Sequence, residues 1–254
     1  MSGRTALAER ARKRLVLPLD VPTAAQAREL VDLLHEEVGL FKVGKELFCA
    51  AGPDFVRSLT AEGLDVFLDL KFHDIPRTVA QASVQAARLG VRILNVHASG
   101  SLEMMETTAK EVRRVCRREK LTRPSILGVT VLTSLSGEDL RRIGVRASPR
   151  AQVLRLASLA RDAGLDGVVA SPLEIEAVRE ACGDRFTILT PGVRPRDADI
   201  EDQKRVATPA AAIAAGADYV VIGSPIRNAP DPVAAARAIV KEMTEGMKRR
   251  RTRR

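Results

Sequence analysis

The sequence predicts an α/β protein built as a single (β/α)8 TIM barrel, and three observations carry that reading. Eight short apolar, β-rich runs recur along the 254 residues, each is followed by a stretch with helical periodicity, and the length suits one barrel of about 250 residues. The runs are LVLPLD (15–20), LFKVG (40–44), DVFLDLK (65–71), RILNVHA (92–98), SILGVTVL (125–132), DGVVAS (166–171), FTILTP (186–191) and YVVIGS (219–224).

The segments between the runs carry their own signals. After the first comes TAAQARELVDLLHEEVG, with Thr23 as N-cap and Gly39 as the stop. After the fourth, Met104 and Met105 are expected in helix packing, and RRVCRREK (113–120) as a solvated face. GEDLRRIGVRASPR (137–150) is longer than an average connection and is expected as a loop with a short helix over one mouth. The last run leads into DPVAAARAIVKEM, with Asp231 at the cap and Pro232 at the first helical position, where a missing N–H costs little. The chain therefore divides into a basic N-terminal extension (1–14), a (β/α)8 barrel domain (15–247) and a basic tail (248–254).

The formal charge of +9 raises the question of a polyanionic partner. Its distribution answers it, because residues 1–14 contribute +4 and KRRRTRR (248–254) contributes +6, which leaves the 233 residues between them at −1. One Tyr, six Phe and no Trp also leave little for stacking on bases, so nucleic-acid binding is not expected. Cys49, Cys116 and Cys182 are widely spaced, without a CxxC, and read as small buried or half-buried hydrophobes in a reducing, cytoplasmic setting. The first fourteen residues lack the apolar stretch of a secretion signal, and no apolar run is long enough to span a membrane.

In a barrel of this kind the chemistry sits at the carboxyl ends of the strands. Polar residues mark several of those ends here: Asp20, Lys42, Asp69 with Lys71, Asn95 with His97, and Thr130 with Thr133. Any one of them reads as a satisfied polar group; together they place opposed acids and bases around one mouth. The densest signal is DLKFHDIPRT (69–78). Residues two apart on a strand point the same way, so Asp69 and Lys71 fall within ion-pair distance, and Asp74 follows on the turn before Pro76. A lysine between carboxylates is a fixed cation able to serve as a general acid. His35 reads as surface, His73 as support for Asp74, and His97 either as lining the mouth or as a near-core histidine. No clustered His/Cys set suggests a metal, and nothing calls for a cofactor.

FKVGKELF (41–48), DLKFHDIPRT, NVHASG (95–100), VTVLTS (129–134), LTPGVRP (189–195), EDQKRVATP (201–209) and VIGSPI (221–226) together resemble, in order and spacing, the bacterial type of the orotidine 5′-monophosphate decarboxylase family over roughly residues 14–242. The resemblance implies that Asp20 contacts the ribose and that Lys42 joins a charged network with Asp69, Lys71 and Asp74. Asp69 and Lys71 would face the scissile carboxylate, with Asp74 lent across the interface of a homodimer. It further implies a pyrimidine-ring contact from Thr133, ring and phosphate contacts from Gln203, and a phosphate contact from Arg194. Thr78, Gly223 and Ser224 complete the implied substrate site, with no cofactor and no metal.

One position departs from the family pattern. Where the last strand's motif has Gly-Arg-Pro, this chain has Gly223, Ser224 and Pro225, so a guanidinium that grips phosphate is replaced by a hydroxyl. Arg227 or Arg194 is expected to compensate. Two rival readings stand beside this one: a Mg-dependent decarboxylase of the 3-keto-gulonate 6-phosphate kind, sharing the D-x-K-x-x-D core, and an RNA-associated protein acting through its basic ends.

Overall fold

The computed structural model describes residues 5–195 and 207–252. Eight parallel strands form a closed barrel in sequence order: β1 (Leu15–Pro18), β2 (Leu40–Gly44), β3 (Val66–Phe72), β4 (Ile93–His97), β5 (Ser125–Val129), β6 (Gly167–Val169), β7 (Thr187–Thr190) and β8 (Tyr219–Val221). β8 pairs with β1, so the sheet has no free edge. All eight expected runs are strands, but most stop short of the run's end. At β5 the reason is visible: the Thr130 hydroxyl and N–H both donate to the Val169 carbonyl, at 2.8 and 3.2 Å, and the chain then leaves the ladder. β3 instead runs one residue further than expected, to Phe72.

Side chains alternate between two cores. Val16, Leu40, Phe67, Ile93, Leu127 and Leu189 fill the barrel interior as one apolar plug. The alternate residues, such as Leu15, Leu17, Phe41, Val43 and Leu68, pack against the surrounding helices. Two residues beyond the plug on β2, β3 and β4 stand Lys42, Asp69 and Asn95, so the strand period of two lifts these polar groups into the next layer toward the mouth.

The helices keep most of their expected caps. The Thr23 hydroxyl accepts from the Gln26 N–H and opens the helix Ala24–Leu34. That helix ends before Gly39, whose role is different: a Cβ there would lie 2.5 Å from the backbone of Lys13, so the glycine permits a close chain crossing rather than stopping a helix. Residues 137–150 hold the short helix Gly137–Arg142, opened by a Ser136–Asp139 capping box, and the start of the helix Pro149–Asp162. In the helix Leu102–Glu119, Met104, Met105 and Cys116 are buried, while Arg113, Arg114, Arg117 and Arg118 are exposed. Cys182 is half-buried, but Cys49 is exposed on the helix Lys45–Ala61, which corrects the expectation that all three thiols pack inward; all three are free.

Both basic ends take part in the fold. Residues Ala6–Arg12 form a helix whose Ala11 is fully buried. The final helix, opened by Asp231 accepting from the Ala234 N–H, runs from Pro232 to Thr252, well past the expected KEM, and the first helix packs against it. No helix among the described residues is long and apolar enough to cross a membrane.

The final helix is seated through Gly246, where a Cβ would lie 2.4 Å from the Ala210 carbonyl oxygen. Alanine is the better helix former, yet here it must push two backbones apart. We expect Gly246→Ala to destabilise the protein by about 1–3 kcal/mol, read as a lowered midpoint in urea; an unchanged or raised midpoint would show that the contact gives way freely.

Candidate active site

The polar layer above the plug is a continuous row of alternating charge. Asp20, at the end of the first apolar run, accepts from Lys42 Nζ at 2.9 Å. Lys42 Nζ lies 3.3 Å from Asp69 Oδ2, and Asp69 Oδ1 accepts from Lys71 Nζ at 2.6 Å. Lys42 and Asp69 are only 8% and 9% exposed, and Lys71 is half-buried. A carboxylate in such a place is tolerable only when its lone pairs are filled. Asp69 meets that condition with a third donor, Asn95 Nδ2 at 2.7 Å from Oδ1.

Strand alternation predicts the pairing of Asp69 with Lys71, but the backbone that delivers it is irregular. Leu68 pairs with Leu94 and Phe72 with Val96, so three residues of β3 stand opposite Asn95 alone. At this bulge Lys71 has φ 53°, a left-handed conformation that costs a residue with a Cβ of order 1–3 kcal/mol. Its N–H, turned out of the ladder, donates to Asn95 Oδ1 at 2.8 Å. Asn95 thus holds the carboxylate with one end of its amide and the lysine backbone with the other. The sequence marks it as a polar strand end two residues beyond Ile93, but assigns it no role.

Above the row lies a cavity of about 220 Å³. Lys42, Asp69 and Lys71 form its charged side, and Phe67, Val129, Val169 and Leu189 give it apolar walls, with Thr133 and Ser134 at the rim. Charges against such walls are weakly screened and act strongly on whatever binds between them. His97, at the end of β4, has its pKa pushed down by burial first, then by His73, Lys45 and Lys71, with Asp69 opposing; it is predominantly neutral at pH 7. The His73 and His97 rings stand 5.3 Å apart, centre to centre. His35 is exposed.

The remaining expected residues are distributed around the mouth. Asp74 is exposed, accepts from the Ile75 N–H at 2.6 Å, and has no ion pair among the described residues. Thr78 is exposed in the first turn of the helix Pro76–Arg88 and does not line the cavity. Gly223 lets the end of β8 approach β1, since a Cβ there would sit 2.7 Å from Pro18 Cγ. Ser224 is exposed and opens the single turn Ser224–Arg227, from which Arg227 Nη1 donates to the Asp20 carbonyl at 2.6 Å. Arg194 is half-buried beyond β7, its N–H donating to the Ala207 carbonyl. Gln203 lies outside the described residues. Among the described residues no three His, Cys, Asp or Glu side chains are grouped to hold a metal ion.

Residues 13–239 match the family described as orotidine 5′-phosphate decarboxylase / HUMPS. A protein of Syntrophotalea carbinolica named orotidine 5′-phosphate decarboxylase is 53% identical over 237 residues, covering 93% of this chain and 97% of its own length. One of the same name from Moorella thermoacetica is 54% identical over 234 residues, covering 92% and 93%. The crystal structure of orotidine 5′-phosphate decarboxylase from Lactobacillus acidophilus superposes with a TM-score of 0.81 at 38% identity, over 90% of this chain and 98% of that one.

Because the Asn95 amide bonds both Asp69 and the strained Lys71 backbone, Asn95→Ala removes one of three donors from a buried carboxylate and the acceptor of the half-buried Lys71 N–H. We expect a loss of about 1–3 kcal/mol in unfolding free energy. Urea denaturation checks this, and an unchanged midpoint would mean that water replaces the amide at no cost.

Proposed function

The chain belongs to the orotidine 5′-phosphate decarboxylase / HUMPS family, and we propose that the charged row at the barrel mouth is the machinery with which it carries out that chemistry. The reaction is the conversion of orotidine 5′-monophosphate to uridine 5′-monophosphate with loss of CO2, a step of pyrimidine biosynthesis. The observation that carries the assignment of roles is Lys71 Nζ held 2.6 Å from Asp69 at the charged side of an apolar-walled cavity.

Breaking the bond between the ring carbon and the carboxylate leaves an electron pair on that carbon with little resonance help. The barrier falls only if the site favours this charge over the carboxylate that precedes it. Lys71 is the more exposed of the two lysines lining the cavity; it stabilises the developing charge and then donates an N–H proton to the carbon, to be reprotonated from solvent. Asp69 holds Lys71 in place and disfavours a second carboxylate beside it. Lys42 neutralises Asp69 from the other side and reaches Asp20, which we assign to the ribose. No step requires a metal or cofactor.

Thr133 at the rim is assigned to the pyrimidine ring. The phosphate end is assigned to Arg194, Gln203, Thr78, Gly223 and Ser224, with Arg227 supplying the guanidinium that position 224 lacks. Asp74 is assigned to the site of a second copy in a homodimer; its exposure, and that of Ile75 at 66%, support this reading. Three free cysteines suit a cytoplasmic enzyme. A Mg-dependent sugar-phosphate decarboxylase would share the D-x-K-x-x-D core, and an RNA-associated protein would use the basic ends; the names of the relatives at about half identity favour the nucleotide reaction.

An absorbance assay with orotidine 5′-monophosphate, run with and without EDTA, tests the reaction. Activity should survive EDTA, and Lys71→Ala should lower kcat by about 10³-fold or more with the fold intact. Mixing inactive Lys71→Ala with inactive Asp74→Ala should restore part of the activity through hybrid dimers. Near-normal turnover of the lysine variant, or no recovery after verified subunit exchange, would overturn the respective role. Removing a charge-assisted phosphate contact worth about 1.5–3 kcal/mol should raise KM about 10- to 100-fold in Arg227→Ala; an unchanged KM would clear Arg227 of that role.

A further inference from the structure

At the opposite end of the barrel the two basic ends of the chain meet around one pocket. Arg10 comes from the helix Ala6–Arg12, Arg14 from the residue before β1, and Arg250 from the last turns of the final helix. The pocket, about 360 Å³, is completed by Leu7, Met247 and two carboxylates, Asp184 and Asp218, which precede β7 and β8. These positions all lie at the amino ends of strands, so the pocket belongs to the face away from Lys71.

The charge around it is not balanced. Asp218 is already taken: it accepts from Arg179 Nη2 at 2.7 Å and from the Ile188 N–H at 3.0 Å. Asp184 is largely exposed and sits 4.0 Å from Arg250. Among the described residues neither Arg10 nor Arg14 has a side-chain hydrogen bond or ion pair. Three arginines and two aspartates therefore line the concavity, and two of the arginines, Arg10 and Arg14, bring no partner of their own among the described residues. Guanidinium forks match phosphate oxygens, and a pocket of this size holds a small ligand. Among the described residues no aromatic ring lines it, so none offers a base a surface to stack on.

We propose that this pocket is a second anion site, distinct from the catalytic mouth, that takes a phosphate or pyrophosphate group through Arg10, Arg14 and Arg250. The basic ends thereby act together, because the helix-to-helix packing of the two termini builds the site and both must be folded for it to exist.

The test titrates inorganic pyrophosphate into the full-length protein by calorimetry at low salt. Arg10→Gln/Arg14→Gln is compared with wild type and with Arg227→Ala, which alters the opposite mouth. The proposal expects binding at least tenfold weaker in the double variant, retained in Arg227→Ala, with decarboxylation and melting temperature unchanged in the double variant. Arg10→Gln alone, on an exposed side chain, gives a smaller loss and guards against misfolding. Pyrophosphate binding that is absent in wild type, or unaffected by either pocket variant, overturns the proposal. So does a single-stranded RNA oligonucleotide that binds through these arginines while pyrophosphate does not, which would assign the face to nucleic acid.

Discussion

The structure turns on one buried carboxylate. Asp69 stands directly above an apolar plug, nearly closed to water, and an ion there without partners would cost several kcal/mol. It is tolerated because three donors converge on it, and each comes from a different strand: Lys42 from β2, Lys71 from β3 and Asn95 from β4. The register of those strands is therefore set twice, once by the apolar plug and once by the requirement that all three donors reach the same two oxygens. That double determination can hold Lys71 in a left-handed backbone conformation, since relaxing the bulge would break the Asn95 contact and move the ammonium away from Asp69.

What is legible in the sequence follows from the range of the forces involved. The eight strands can be read because hydrophobic alternation is local, and the pairing of Asp69 with Lys71 because the two lie two residues apart. The bulge cannot be read, because nothing in DLKFHDIPRT shows that three residues of β3 will stand opposite one residue of β4. Asn95 is visible as a polar strand end, yet what it does depends on a carboxylate 26 residues earlier. Gly39 shows the same limit: a helix stop is the reading its neighbours in sequence suggest, and its actual constraint is the Lys13 backbone passing 2.5 Å from where its Cβ would be. Cys49 reads as an apolar residue, but the face it occupies on its helix points to water.

The formal charge of +9 changes meaning once the chain is folded. At the mouth formed by the carboxyl ends of the strands, charge is arranged in compensating pairs along one row, and their relative placement matters more than their sum. At the other end the two basic termini, widely separated in sequence, come together by helix packing, and three of their arginines, Arg10, Arg14 and Arg250, line one concavity. The barrel thus separates two kinds of electrostatics by the height of its apolar plug: a balanced row held by strand register, and an unbalanced cluster held by the packing of the termini.

The seam between β8 and β1 joins the row to the rim of the mouth. Gly223 brings the end of β8 against Pro18, and within the next turn Arg227 reaches the carbonyl of Asp20, whose carboxylate in turn holds Lys42. Ser224 and Arg227 are three residues apart on a helical turn, so a guanidinium at position 227 projects from the same side as one at 224 would. In this chain, however, that guanidinium is also tied to the backbone of the residue that anchors the charged row. If Arg227 also takes the phosphate with its remaining N–H groups, as proposed, the same side chain would join the rim to the Asp20 backbone, and occupancy there would bear on the position of Asp20. A chain with arginine at 224 and no arginine at 227 would lack that link, which makes the serine more than the loss of one contact.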